Sequence, residues 1–173
     1  MQITNASKKD IAELVKLINS AYRGEVSKLG WTTEAGLLAG DLRTDYPTLA
    51  AQINKPGSVI LKYTAPQNSI TGCVYLQIQE KGLYLGMLSV APVLQGKGIG
   101  KLLLAAAETF AFENKCNCIF MQVISVRTEL IAWYQLNGYN MTGEKKALPD
   151  DNRFGIPTQP LEFAIMKKNM IFP

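Results

Sequence analysis

Three glycines on alternate positions, Gly96, Gly98 and Gly100, stand between an apolar run ending Leu88-Ser89-Val90 and an apolar helical pattern opening at Ile99. Gln95 precedes them, and Lys97 and Lys101 lie among them. A strand that runs through such a loop into a helix is suited to phosphate. Glycine lets backbone N–H groups approach an anion, and the unpaired amides and dipole of a helix N-terminus favour negative charge there. Spacing narrows the ligand. A P-loop needs Gly where this chain has Gln95, and Ser or Thr where it has Leu102. A dinucleotide fingerprint started at Gly96 needs Gly at Lys101; started at Gly98, it needs Gly at Leu103. Neither pattern fits.

The second chemical cluster is Ala132-Trp133-Tyr134-Gln135-Leu136-Asn137-Gly138-Tyr139. Gly138 suits the left-handed position that ends a helix, and Tyr139 opens an extended run. The motif Q-x-x-G-x-G, Gln95 through Gly100, follows a strand ending LSVAP, and the aromatic-Tyr…Gly-Tyr motif lies downstream. Together they resemble the GNAT superfamily of acetyl-CoA-dependent N-acetyltransferases. The likeness is carried by Leu83–Tyr139 and elsewhere only by the order of elements.

The resemblance implies an α/β (α+β) fold with a mixed, mostly antiparallel sheet flanked by helices and with splayed central strands. It implies acetyl-CoA as cosubstrate, its diphosphate held by Gln95, Gly96, Lys97, Gly98, Ile99, Gly100 and Lys101. Backbone groups of Leu88, Ser89 and Val90 would pair with pantetheine and polarise the thioester carbonyl. Tyr134 would be the catalytic residue, its hydroxyl aimed at the CoA sulfur. The strand position where some members carry Glu is Tyr84 here. The base is therefore open among water relayed to Glu129, Glu34 or the Tyr84 hydroxyl. Many relatives have Asn near the start of the Tyr134 helix; this chain has Arg127, which either reaches a phosphate or faces solvent.

The elements that must position these groups read as mixed α and β. Ile3 lies in a first strand. Ser7 and Asp10 resemble a capping box before a helix to about Ala21, with Ile11, Leu14, Val15 and Ile18 on one face. Residues 24–40 look irregular. A helix over Thr48–Asn54 ends at Lys55-Pro56-Gly57, and strands follow over Ser58–Thr64, Thr71–Gln79 and Leu83–Val90. In the second of these the alternation of Val74, Leu76 and Ile78 predicts a half-buried antiparallel strand. After the glycine loop, Ile99, Leu102, Leu103, Ala106 and Phe110 predict the core stripe of a helix. Cys118–Ile124 predicts a buried strand, Thr128–Leu136 a helix, and Tyr139–Lys145 and Leu161–Met166 the closing strands. Leu148–Pro160 has no periodicity and reads as a loop over the site.

Composition sets limits. The 173 residues, 47% hydrophobic and 18% charged, fit a single domain over 1–173. A net charge of +4 on scattered lysines is too small to indicate nucleic acid. No apolar run approaches the ~20 residues of a membrane span, and the polar start lacks a signal-peptide core, so a cytoplasmic location is expected. Three cysteines, two of them at a C-x-C spacing, argue against a disulfide framework; with no histidine and no second Cys pair, no metal site is expected and no His base is available. The expected partners are acetyl-CoA and an amine acceptor, with the chain a monomer or homodimer. Arg23, Trp31, Glu34 and Tyr84 are candidate acceptor contacts. Two of the four arginines, Arg23 and Arg43, fall in this first third and favour an acceptor bearing a carboxylate. Glu25, Glu34, Asp41 and Asp45 equally suit a polyamine or aminoglycoside. The absent strand Glu also leaves open a non-catalytic acyl-CoA-binding module.

Overall fold

In the computed structural model, residues 2–149 and 151–171 are described. A seven-stranded sheet has the order β1-β3-β4-β5-β6-β9-β7, with β1 Gln2–Asn5, β3 Ser58–Thr64, β4 Ile70–Gln79, β5 Gly82–Val90, β6 Cys118–Ile124, β7 Asn140–Ala147 and β9 Glu162–Asn169. Every pairing is antiparallel except β5 with β6. The helices are α1 Ile11–Tyr22, α2 Gly24–Ser27, α3 Tyr46–Asn54, α4 Ile99–Glu113 and α5 Thr128–Leu136. Among the described residues no helix is long and apolar enough to cross a membrane.

Helices cover both faces of the sheet. α4 and α5 pack on Leu61, Val74, Leu76, Leu83, Leu85 and Ile119. α1 and α3 pack on Ile60, Ile70, Cys73 and Tyr75 from the other side. β4 is thus buried on both faces along Ile70–Leu76, not half-buried as its alternation suggests. The period-2 pattern registers which face each side chain takes; it does not say whether the second face is covered. α4 shows a related shift. Its buried row is Ile99, Leu103, Leu104, Ala107 and Ala111, while Leu102 is half exposed. The run Leu102-Leu103-Leu104-Ala105-Ala106-Ala107 is apolar all round, so periodicity admits two phases and docking on β4 selects the other one.

α1 opens as expected. The Asp10 carboxylate accepts from the Ser7 N–H at 2.7 Å and from its hydroxyl at 3.0 Å. It extends one residue beyond Ala21 to Tyr22, and Leu17 and Ala21 join its buried face. Two short strands escape periodicity altogether: β2, Leu38–Ala39, pairs with β8, Ile156–Pro157. The 148–160 segment is consequently fastened to residues 37–39. Thr158 N–H donates to the Leu37 carbonyl at 3.0 Å, and Arg23 Nη2 donates to the Phe154 carbonyl at 2.9 Å.

Candidate active site

β5 and β6 pair only at Leu83–Ile119 and Tyr84–Phe120. Beyond Tyr84, β5 keeps β4 as its partner while β6 continues against β9, so a cleft opens between the parallel strands. The parting coincides with a register slip between Cys73 and Tyr75 and with Met87 at φ 48°, a conformation uncommon for a non-glycine residue. Tyr22, at the end of α1, reaches across and donates its hydroxyl to the Leu88 carbonyl at 2.5 Å. Burial pushes the Tyr22 hydroxyl up to about 12, and the Glu34 carboxylate adds to the effect. It stays a neutral donor.

Two cavities meet in this cleft, of about 310 Å³ and about 60 Å³, with Tyr22, Leu88, Leu130 and Tyr134 as common walls. The larger reaches from the glycine loop to Tyr134 and falls in the size range of small-ligand pockets. Gly96 and Gly98 have φ 79° and 85°, where a side chain costs about 1–2 kcal/mol. A Cβ at either would touch nothing within 4 Å, so backbone conformation and not crowding requires glycine there. Gly98 is the N-cap of α4 and brings no capping side chain, leaving first-turn amides free for an anion. Lys101 lines the same cavity. These features fit the diphosphate of a CoA thioester.

Gly100 serves a different purpose. A Cβ there would stand 3.4 Å from the Trp133 ring, so glycine lets α5 lay Trp133 against the α4 N-terminus. This contact joins the two sequence motifs physically. Trp133 meets Tyr134 edge-on at 5.0 Å between centroids, and Tyr139 meets it edge-on at 5.8 Å. Gly138, at φ 88°, ends α5 and turns the chain so that fully buried Tyr139 reaches that position. The Tyr134 ring is clamped, yet among the described residues nothing in the chain hydrogen-bonds its hydroxyl. Burial, helped by the neighbouring hydroxyls of Tyr22 and Tyr139, holds that hydroxyl well above the ordinary tyrosine value.

The expected cofactor residues divide. Leu88, Val90, Gln95, Gly96, Gly98, Ile99, Gly100 and Lys101 line the larger cavity. Ser89 and Lys97 do not: Ser89 is buried with its hydroxyl on the Met87 carbonyl, and Lys97 is exposed. The Gln95 side chain is occupied within the protein. Its Oε1 accepts from the N–H groups of Trp31 at 2.8 Å and Thr32 at 3.3 Å. Its Nε2 donates to Thr32 Oγ1 at 2.8 Å and to the Val90 carbonyl at 3.1 Å. Gln95 thereby fixes the 30–32 loop as a cavity wall. Gln95→Ala should raise the KM for acetyl-CoA about tenfold and lower stability by about 2 kcal/mol, measurable by steady-state kinetics and urea unfolding. An unchanged KM would mean that this wall does not shape the cofactor site.

The expected acceptor residues divide as well. Glu34 lines the smaller cavity, with Arg43, Arg127 and Gln122. Trp31 lines the larger one, packed on Trp133 at 6.0 Å. Arg23 reaches neither cavity. Its guanidinium is buried, bonded to Glu34 Oε2 at 2.5 Å and to the Phe154 carbonyl. Tyr84 also reaches neither; its ring packs against Tyr75 and Phe120. Glu129 is exposed on the first turn of α5. Arg127 is neither solvent-facing nor free for phosphate, since it pairs with Glu34 Oε1 at 3.3 Å and its side chain is 8% exposed. Both Glu34 oxygens are thus engaged by guanidinium groups. Tyr22 is the site residue that sequence reading missed. Standing four residues after Ile18, it reads as one more core position of α1, and only the sheet places its hydroxyl on β5.

Parted parallel strands, a glycine-rich helix entrance and a tyrosine at the meeting of two cavities define the acyl-CoA N-acyltransferase fold. The chain belongs to the acetyltransferase (GNAT) family, whose model matches residues 17–139, and it is an acetyltransferase that uses acetyl-CoA. The ribosomal-protein alanine N-acetyltransferase of Escherichia coli is 14% identical with a TM-score of 0.74, over 99% of this chain and 95% of that one. The ribosomal-protein-alanine N-acetyltransferase of Brucella melitensis is 18% identical with a TM-score of 0.73, over 98% and 99%. The yncA protein of Salmonella typhimurium, solved with its cofactor acetyl-CoA, is 18% identical with a TM-score of 0.70, over 100% and 95%. At such identities the likeness is one of fold. Comparison with curated protein sequences finds no match.

Proposed function

We propose that the chain is an N-acetyltransferase that moves the acetyl group of acetyl-CoA directly to a primary amine, with both substrates bound at once. The observation that carries this reading is Tyr134, a wall common to the two cavities, whose hydroxyl has no hydrogen-bond partner among the described residues. The donor occupies the larger cavity; the Salmonella typhimurium protein of like fold was solved with acetyl-CoA as its cofactor. The acceptor enters the smaller one. The amine nitrogen, uncharged, attacks the thioester carbonyl; a C–N bond forms, the C–S bond breaks, and the thiolate takes a proton from Tyr134. Water returns a proton to Tyr134, and the new amide nitrogen loses one to solvent.

The energetics are consistent with this assignment. A thiol ionises near 8.5 in water, below a buried tyrosine, which makes the proton transfer uphill. The same desolvation raises the thiolate inside the cleft and narrows the gap. Holding the two reactants side by side accounts for much of the remaining rate. Carbonyl oxygens of Leu88 and Val90 are engaged by Tyr22 and Gln95, which keeps this stretch of β5 rigid beside the thioester.

The test is release of free CoA thiol from acetyl-CoA across a panel of amines. Turnover with an amine supports the reading; tight acetyl-CoA binding with no turnover on any acceptor leaves the binding-module alternative in its place. The pH profile follows from Tyr134. Its protonated form is the required one, and a raised pKa keeps that form present until the pH climbs through it. We expect kcat/KM to rise as the acceptor amine loses its proton and to stay level through about pH 10. A descending limb between pH 8 and 9 would assign the proton donor elsewhere.

A further inference from the structure

Arg43 lines the smaller cavity and, among the described residues, has no acidic partner and no hydrogen bond from its guanidinium. Its guanidinium carbon lies 5.8 Å from the centroid of the Tyr22 ring. The backbone beneath it is held firmly. Asn19 of α1 accepts from the N–H groups of Arg43 at 2.6 Å and Thr44 at 3.0 Å, and donates to the Thr44 carbonyl at 3.0 Å. A half-buried cation fixed at a cavity wall without a counter-charge is costly unless a ligand supplies one.

The surrounding charges point the same way. Arg43, Arg127 and Glu34 line the cavity, and the one carboxylate, Glu34, is already paired with Arg23 and Arg127, which leaves Arg43 in excess. The acids that would attract a polyamine are spent or remote. Glu25 is exposed and paired with Lys28, and Asp45 caps α3 by accepting from the Thr48 N–H at 2.8 Å. Asp41 is exposed and does not line the cavity. Size agrees with charge: 60 Å³ admits about four to six water-sized groups, the bulk of an amino-acid head group.

We infer that the acceptor is a small amino acid whose carboxylate is bound by Arg43, with Arg127 adding positive charge beside it. This rests on the acetyl-transfer reading above and extends it to the acceptor class. The cavity that Arg43 lines shares Leu88 and Tyr134 with the donor cavity, so an amino acid held there lies in the space that adjoins the thioester. The planar fork of arginine suits bidentate binding of a carboxylate, which a lysine ammonium does not reproduce.

The test compares the standard L-amino acids with the amines that lack only their carboxylates, by thiol release and by calorimetric binding to the CoA-loaded protein. At least one amino acid should be preferred over its matching amine by about 100-fold in kcat/KM. Arg43→Gln should collapse that preference to within a few-fold by raising the KM of the acid, while Arg43→Lys restores part of it. Equal or better turnover of decarboxylated amines or polyamines, with Arg43→Gln leaving the ratio unmoved, would overturn the inference. Should no acceptor be acetylated while an amino acid still binds in an Arg43-dependent manner, the anionic subsite stands and the acetyl-transfer reading fails. Absence of Arg43-dependent binding overturns the subsite itself.

Discussion

Tyr134→Phe should lower kcat about 100-fold while leaving acetyl-CoA affinity unchanged. The substitution removes one hydroxyl from a ring held by Trp133 and Tyr139, and both edge-on contacts survive it. Nothing in the chain bonds to that hydroxyl among the described residues, so no buried partner is left unsatisfied and the fold is not taxed. The expected loss is that of a positioned general acid. It falls on kcat and kcat/KM alike, because the proton is needed only as the thiolate leaves. Single-turnover kinetics with saturating acetyl-CoA separate this from slow product release. A rate equal to the parent enzyme would remove Tyr134 from the chemistry and pass the role to water.

Glu34→Gln should destabilise the protein by about 3–5 kcal/mol, as measured by urea unfolding. Glu34 is the anion between Arg23 and Arg127, and the three side chains are 10%, 2% and 8% exposed. Removing the charge leaves two buried guanidinium groups facing each other. The Coulomb attraction of a buried pair barely exceeds its desolvation cost, but an uncompensated charge keeps the cost and loses the attraction. Combining Glu34→Gln with Arg23→Met should recover part of the loss by removing one stranded cation. This experiment also separates structure from catalysis. A small stability change accompanied by a collapse in kcat would make Glu34 the base, contrary to the ion-pair geometry.

The glycine loop and the helices beside it were legible in the sequence because their requirements are local. A left-handed turn at Gly96 and Gly98, a helix start at Ile99 and a helix stop at Gly138 are each written in a few consecutive residues. The resemblance carried by the same stretch implied splayed central strands, and β5 and β6 pair only at Leu83–Ile119 and Tyr84–Phe120. The smaller cavity was not legible, because it is assembled from distant segments whose residues have ordinary local explanations. Tyr22 reads as a core residue of α1, and Arg127 as a surface residue of α5, until packing brings each to β5 or Glu34. Arg23 was expected to contact the acceptor, but its partner is Glu34, supplied by a segment without periodicity. The β2–β8 pairing was equally invisible, since two-residue strands carry no pattern. Arg43 lies between these cases. Its type signalled an anion, but its position at a cavity depends on Asn19 holding the backbone from α1.

The central claim is that the amides from Gly96 to Lys101 hold the CoA diphosphate and that the acyl end then lies beside Tyr134. A crystal structure of the protein with acetyl-CoA tests it directly. The diphosphate should sit on the first turn of α4, and the thioester sulfur within hydrogen-bonding distance of the Tyr134 hydroxyl. Density for the diphosphate away from that turn, or a thioester on the far side of β5 from Tyr134, would contradict it.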